Sequence, residues 1–377
     1  MADCASRRTA ACASGESLVV LGRSPVTSRL APGLLPEGLR DTLPPQAHGQ
    51  MRLMRAILDM LSSHGYERVD PPLVEFAESL TSPIVSGARS DLFRFMDPKS
   101  QHMLAVRADI TGQVARIAST RMAGQARPLR LAYMGPVLRL AGTALDADRQ
   151  FLQVGGELIG NDGPAATAQT IAVAVEALRA AGLEQLSLDL VIPDLAPTLL
   201  RAHGVADAAP VLEALDAKDA GALAGHPLEA LLVGLLDAAG PAAAGLARLR
   251  ALDLPGAARA LVDDAATTLD LLALADAAIS LDPADRRGFA YQTRIGFSLF
   301  APGVREAAVR GGGLCHPLGH PAGTGGWLHA LFRPYSGRGG CTAAAAARLS
   351  AMGRLNRCRH PPARRGLGHC RSTGSGR

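Results

Sequence analysis

Gln153 and Glu157 stand four residues apart in the run RQFLQVGGELIG, residues 149–160. On a β-strand that spacing puts both side chains on one face, together with Phe151. Arg139 closes the strand-like run before them and Arg149 opens their own. Asp109 and Thr111 stand where a strand-like run turns into a helical one. Carboxylates suit an ammonium or imidazolium ion, and a guanidinium suits a carboxylate, so the set fits a free amino acid. The alternative is that these are half-buried polar residues satisfied among themselves on a pleated sheet. Spacing is compatible with both. No nucleophile stands beside a base in a known pattern: the chain has no G-x-S-x-G, no P-loop and no H-E-x-x-H. Gly155-Gly156 and Gly311-Gly312-Gly313 lack the strand-to-helix setting of a nucleotide loop and read as structural or incidental.

These residues need a scaffold, and the chain supplies a regular one. A helix is expected from Pro45 to His64, begun by Pro44-Pro45 and ended by Gly65 at the C′ position. Its Met51, Met54, Leu58 and Leu61 recur at helical spacing and read as core. Tyr66–Val69 reads as a strand that Pro71-Pro72 ends. Two short strands, Leu92–Met96 and Met103–Arg107, flank the turn residues Asp97 to Ser100. A helix over Ile110–Arg121 follows, then an antiparallel pair over Leu129–Leu140 and Arg149–Ile159, joined by the polar loop Ala141–Asp148. Helix Pro164–Ala181 and strand Leu186–Val191 come next. This order is α+β and not the strict alternation of a Rossmann fold. Residues 196–280 are rich in Ala and Leu, broken by Gly and Pro, and read as a helical insertion between two parts of one sheet domain. Arg287–Ala301 returns to strand character, with Tyr291, Ile295, Phe297 and Leu299 an even number of residues apart.

The chain has 377 residues, enough for a full core and two or three structural units. No stretch gives the roughly 18 uninterrupted apolar residues of a membrane span. Residues 1–33 hold only a four-residue apolar run, Leu18–Leu21, too short for a signal-peptide core, and are expected to be a poorly ordered extension. A cytoplasmic protein is expected. The net charge of +5 hides an asymmetry. From Ala307 onward there are 11 Arg and no Lys, Asp or Glu, which leaves 28 basic against 34 acidic residues before it. The cysteines lie only at the two ends, Cys4 and Cys12, then Cys315, Cys341, Cys358 and Cys370, so no disulfide framework staples the body.

The tail admits three readings. A basic arm for nucleic acid is one. A zinc site from Cys358, His360, His369 and Cys370 is another, but the spacing fits no standard finger. The third is a GC-rich gene read out of frame. From Ala307 the tail has no Ile, one Val, no acidic residue and no period of 2 or 3.6. A one-base shift from about Gly312 permits a patterned chain. The third reading makes residues 306–377 a disordered, out-of-frame tail.

Several of these segments resemble one family. LPEGLRDTLPPQAHGQMRLMRAILDMLSSHGYERVDPPLVEF (35–76) resembles the opening of the histidyl-tRNA synthetase group, where the first class II motif builds a dimer interface. VRADITGQVARI (106–117) resembles the loop of that group that holds the amino group of histidine, with Ala108 for the usual Pro. GPVLRLAGTALDADRQFLQVGGELIG (135–160) resembles the second class II motif. Arg139 matches its arginine, and Gln153 and Glu157 match its Q-x-x-x-E pair, while Leu140-Ala141-Gly142 replaces the usual acidic follower. RGFAYQTRIGF (287–297) resembles the histidine-specific segment RGLDYYT, with Tyr291 at a matching tyrosine and Ala290 and Gln292 departing. The resemblance covers about residues 34–304.

The resemblance implies a class II synthetase-like core in two parts, 34–195 and 281–305, around the insertion 196–280. It implies a histidine-like pocket from Asp109, Thr111, Arg139, Gln153, Glu157 and Tyr291. No third class II motif, with its arginine for ATP phosphates, stands in the chain as written. The chain also ends early for an anticodon-binding domain. Within the group it is therefore most similar to the regulatory subunits of ATP phosphoribosyltransferase. That likeness implies a non-catalytic subunit without cofactor or metal. It implies a short-form catalytic subunit as partner, self-association as a dimer within a hetero-oligomer, and allosteric feedback by histidine in histidine biosynthesis. A degenerate histidyl-tRNA synthetase and a basic-tailed nucleic-acid-binding protein remain as alternatives.

Overall fold

Helix α1 (Gln46–Ser63) turns Met54, Ile57 and Leu61 into the core at spacings of three and four, while Met51 stays 44% exposed at its outer end. Its exit is a Schellman turn: Gly65 N–H donates to Ser62 O and Tyr66 N–H to Leu61 O, with Gly65 at φ +79°. In this computed structural model the described residues are 31–80, 92–142, 147–272, 274, 277–286, 292–304, 306–314 and 327–332. Residues 31–37, which belong to a unit separate from the rest of the chain, are exposed and include turns. The elements below belong to the unit that starts at Gly38.

Strands β1 (Glu67–Arg68) and β2 (Val74–Phe76) flank Pro71-Pro72, followed by the short helix α2 (Ala77–Leu80). Strands β3 (Arg94–Met96) and β4 (Met103–Val106) form a hairpin around an Asp97 turn, whose carboxylate accepts the Lys99 and Ser100 N–H groups at 3.1 Å each. Helix α3 (Thr111–Thr120) leads to the long antiparallel pair β5 (Leu129–Leu138) and β6 (Gln150–Ile159). Helix α4 (Pro164–Ala180), begun by a proline that needs no N–H there, is followed by β7 (Ser187–Val191).

Helices α5 (Leu195–Ala202), α6 (Ala209–Asp216), α7 (Glu229–Asp237), α8 (Ala242–Ala251) and α9 (Gly256–Leu271) make up the insertion. The two-residue strand β8 (Gly240–Pro241) lies between α7 and α8, and β9 (Ala278–Asp282) follows α9. Strands β10 (Gln292–Phe300), β11 (Val309–Leu314) and β12 (Trp327–Phe332) complete the described elements.

Nine strands form one sheet in the order β1-β5-β6-β12-β11-β10-β7-β9-β8, and β2-β4-β3 form a second. The architecture is α+β. The large sheet is mainly antiparallel, with parallel pairings of β1 with β5 and β7 with β9. Period-two alternation sorts β5 and β6 into two faces. Leu129, Leu131, Tyr133 and Val137 pack with Ile110, Val114 and Ala115 under α3. Ala132 and Val154 join Met54, Ile57, Leu61 and the buried length of α4 on the other face. Gly156 permits that packing, because a Cβ there would stand 3.1 Å from both Leu61 and Tyr66. Among the described residues no helix is long and apolar enough to cross a membrane.

Two expectations are revised. The segment 196–280 is not purely helical: β9 adds a parallel strand to β7, and β8 pairs with β9, because a helical crossover returns the chain to the same sheet edge. The segment 306–377 is not wholly outside the fold. Val309–Leu314 and Trp327–Phe332 fill the gap between β10 and β6, where unpaired edges of a central sheet would otherwise stand open. Between Thr293 and Gly296 a bulge shifts the register, while Ile295, Phe297 and Leu299 share the core face as their even spacing implies; Tyr291 lies outside the described residues. Cys358, His360, His369 and Cys370, like the bulk of residues 1–33, lie outside the described residues.

Candidate functional site

The polar residues singled out by spacing converge on the α3 face of β5 and β6. Asp109 sits half-buried at the turn from β4 into α3. Its Oδ1 accepts the Thr111 N–H at 2.7 Å, an Asx turn that leads into α3. Its Oδ2 accepts Nε2 of Gln153 at 3.1 Å. Gln153 Oε1 in turn accepts the Ile110 N–H at 3.0 Å, so one buried amide locks the turn onto β6. Further along, the Thr111 hydroxyl lies 3.2 Å from the Tyr133 hydroxyl, which donates to Oε1 of Glu157 at 2.9 Å. Glu157 is fully buried, and Thr111 is 5% exposed.

Tyr133 belongs to this set. The register sets Tyr133 opposite Gly155, midway between Gln153 and Glu157 on the same face. Burial, first, and then the charges of Glu157 and Asp109 hold its phenol well above the ordinary tyrosine pKa. It stays a proton donor at neutral pH and bridges the two ends of the cluster. Strand alternation from Gln153 across to β5 was the signal that could have found it.

Arg107 anchors the turn from behind. It is 3% exposed, and its guanidinium donates to Pro71 O at 2.8 Å, Pro136 O at 2.9 Å and Gln113 Oε1 at 3.3 Å. Gln113 reaches onward to Pro72 O and Glu75 at 2.8 Å each, and Arg116 pairs with Glu75. The proline pair is thus tied to the residues just before and after Asp109. Burial lowers the pKa of Arg107, and the nearby Asp70, Glu75 and Asp109 oppose that shift.

Arg139 lies one residue past β5, with its guanidinium 4.9 Å from the centre of the Phe151 ring. Phe151 shares the face of Gln153, so Arg139 marks the outer end of the row. Tyr291 lies outside the described residues. Gln292 is a further pocket candidate. The pairs Glu157↔His329, His329↔Gly312 and Gly312↔Gly296 form one row across the sheet. Gly312 is two strand spacings, about 10 Å, from Glu157 on the same face. A Cβ on Gly312 would stand 2.3 Å from Gln292 Oε1, so that buried amide lies over Gly312. The structure therefore brings together Asp109, Thr111, Gln153 and Glu157, adds Tyr133 and Gln292, and places Arg139 at the rim. Two carboxylates, a phenol and two amides on one face are equipped to bind a cationic or amphoteric ligand. No described group among them is set as an activated nucleophile. A separate open cavity of about 350 Å³, lined by Met51, Arg55, Leu58, Tyr66 and Met134, lies across the sheet from the cluster.

The model of the histidyl-tRNA synthetase family matches residues 38–318. An ATP phosphoribosyltransferase regulatory subunit of Paramagnetospirillum magneticum is 46% identical over 295 residues, covering 77% of this chain and 78% of its own. The chain belongs to the family of ATP phosphoribosyltransferase regulatory subunits. The regulatory subunit of Rhodospirillum centenum is 45% identical over 297 residues, with 76% of each chain covered. Among solved structures, an ATP phosphoribosyltransferase regulatory subunit/histidyl-tRNA synthetase from Bacillus halodurans superposes with a TM-score of 0.72 at 21% identity, over 87% of this chain and 91% of that one. Histidyl-tRNA synthetase from Nostoc sp. PCC 7120 gives 0.63 at 17% identity, over 85% and 75%. At those identities the likeness is one of fold: the regulatory-subunit family shares the class II synthetase sheet. The family match also runs past Arg305 and through β11, so the Gly311–Gly313 run lies inside the matched region.

Proposed function

We propose that this chain is a non-catalytic subunit of ATP phosphoribosyltransferase that reads free histidine and passes the reading to a short-form catalytic subunit. The observation that carries the proposal is the joined cluster of Asp109, Gln153, Thr111, Tyr133 and Glu157, a largely buried acidic face with no activated nucleophile among the described residues of the cluster. An α-ammonium would sit between Asp109 and Gln153, and an imidazole would lie toward Glu157, with Tyr291 contributing from the segment that resembles RGLDYYT. Arg139, stacked on Phe151, would face the ligand carboxylate. The chain works with its partner in the cytoplasm, as a dimer within a hetero-oligomer, in the first step of histidine biosynthesis.

Regulation then follows from linkage. Histidine shifts activity only if it binds one state of the complex better than another, and the coupling is reciprocal for binding. The test is co-purification of the full chain with a short catalytic subunit, followed by assay of phosphoribosyl-ATP formation. A stable complex with activity that histidine suppresses is expected. A free catalytic subunit that is fully active, with no complex formed, would refute the proposal. ATP-dependent aminoacylation by the chain alone would replace it with a synthetase.

A further inference from the structure

Strand β10 holds a residue in a conformation that its side chain does not favour. Thr293 pairs with Gly313 and Gly296 with Gly312, so Arg294 and Ile295 bulge out without partners on β11. Arg294 adopts φ +62°. A left-handed non-glycine costs about 1–2 kcal/mol and persists only when its surroundings hold it there.

The helical insertion does the holding. Asp194, the last residue before α5, accepts the backbone N–H of Arg294 on Oδ2 at 3.1 Å. Asp264, midway along α9, accepts a hydrogen bond from the Arg294 guanidinium. The insertion also grips the chain upstream. Arg286 donates to both carboxylate oxygens of Asp216 on α6, at 3.2 and 2.8 Å, and Lys218 pairs with Asp282 at 2.5 Å. Helices α6 and α9, with Asp194 just before α5 and Lys218 just after α6, therefore fix the returning chain on either side of residues 287–291.

The bulge has a consequence two residues away. It adds two residues to β10, so Gln292 keeps the face that alternation gives it but moves in register: it stands opposite Leu314, where unbroken pairing from Gly296↔Gly312 would set Arg294. Gln292 Oε1 thereby occupies the place that a Gly312 side chain would take. Gly313 yields likewise, since a Cβ there would stand 2.6 Å from Thr293 O. Gln292 shares a sheet face with Glu157; its own row runs through Leu314 and Trp327 to Ile159, and its amide lies over Gly312 in the Glu157 row.

We propose that Arg294 is a positioning residue: Asp194, at the entry to the helical insertion, and Asp264, on its helix α9, set the β10 bulge whose register brings Gln292 over Gly312 on the ligand face, and so control how the pocket grips its ligand. The ligand's identity rests on the function proposed above; the clasp does not.

The test uses the full chain with Asp264→Asn, Arg294→Ala and Arg294→Gly, each alone and combined with Gln292→Ala. Amide hydrogen exchange is read in the ligand-free protein, and histidine affinity by calorimetry. Asp264→Asn and Arg294→Ala are expected to speed exchange at residues 292–296 while α4 stays protected. They should weaken histidine about fivefold to tenfold, at the low end of typical site-to-site coupling. In the Gln292→Ala background they should cause no further loss. Arg294→Gly, which removes the backbone strain, should have the smaller effect on exchange. Equal loss of affinity in both backgrounds would mean a general structural role and overturn the proposal. Should the parent chain bind no histidine, the function proposed above falls, and exchange alone decides: faster exchange at 292–296 upholds the clasp, and unchanged exchange overturns it.

Discussion

Replacing Gly135 by alanine puts the support of the site under direct stress. A Cβ at that position would stand 2.0 Å from Nη2 and 3.1 Å from Cζ of Arg107. Carbon atoms pack best at about 3.5–4.0 Å, so the guanidinium must move by more than 1 Å. It has little room to do so, being 3% exposed and fixed at 2.8 Å to Pro71 O and 2.9 Å to Pro136 O. A shift of that size breaks both bonds by length. Hydrogen bonds to a charged group contribute about 1.5–3 kcal/mol each, and arginine cannot neutralise itself to escape. A loss of about 3–5 kcal/mol is expected, a large part of the roughly 5–15 kcal/mol that holds a typical domain. The measurement is urea unfolding followed by circular dichroism, on Gly135→Ala, Arg107→Met and the double variant. With Arg107 gone, the added methyl has less to displace, so the double variant should lie well short of the sum. A Gly135→Ala loss under about 1 kcal/mol, or strict additivity, would refute the reasoning.

Other consequences can be checked separately. Glu157→Gln keeps the shape and the acceptor for the Tyr133 hydroxyl at 2.9 Å but removes the charge. It should weaken histidine about tenfold to thirtyfold, the difference between charged and neutral hydrogen bonds, with the circular dichroism spectrum preserved. Unchanged affinity would show that no cationic part of the ligand reaches Glu157. Tyr133 and Tyr66 both hold their protons above the ordinary tyrosine pKa, chiefly through burial. Their contribution is complete below the unfolded value of about 10 and is lost as pH rises past it toward the folded values. Unfolding free energy should fall with a slope of up to about 1.4 kcal/mol per pH unit for each tyrosine, and Tyr133→Phe should flatten that limb. An equally steep limb in Tyr133→Phe would remove Tyr133 from the account. Resequencing the gene across the codons for 306–377 should reveal a one-base change at or beyond the Gly311–Gly313 run. An intact frame ends that proposal.

The legible parts of this chain were those governed by local rules. The four-residue step from Gln153 to Glu157 fixed their shared face because strands alternate, whatever the rest of the protein does. Gly65 ended α1 for the reason any glycine can, by taking a positive φ. Arg107 and Gln292 were not legible in the same way. Two of the three acceptors of Arg107 lie 36 and 29 residues away in sequence, and those two are backbone carbonyls that carry no side-chain signature. Gln292 reads only as a departure from a familiar segment until the register of β11 shows what it covers.

The bulge in β10 changes the register of the strand without changing its faces. Phe297 and Leu299 alternate inward and join the main core, paired on both sides beyond the bulge, and Ile295 within the bulge keeps the same core face. Before the bulge, β10 has run past the end of β7 and pairs with β11 alone. There the chain's direction is set by Asp194 and Asp264, side chains 100 and 30 residues upstream. A period of two describes a strand held by two neighbours. Where one neighbour is replaced by helices, carboxylates on and beside those helices decide which residue of that face stands over Gly312, and an alanine-rich insertion with little chemistry of its own becomes part of the site.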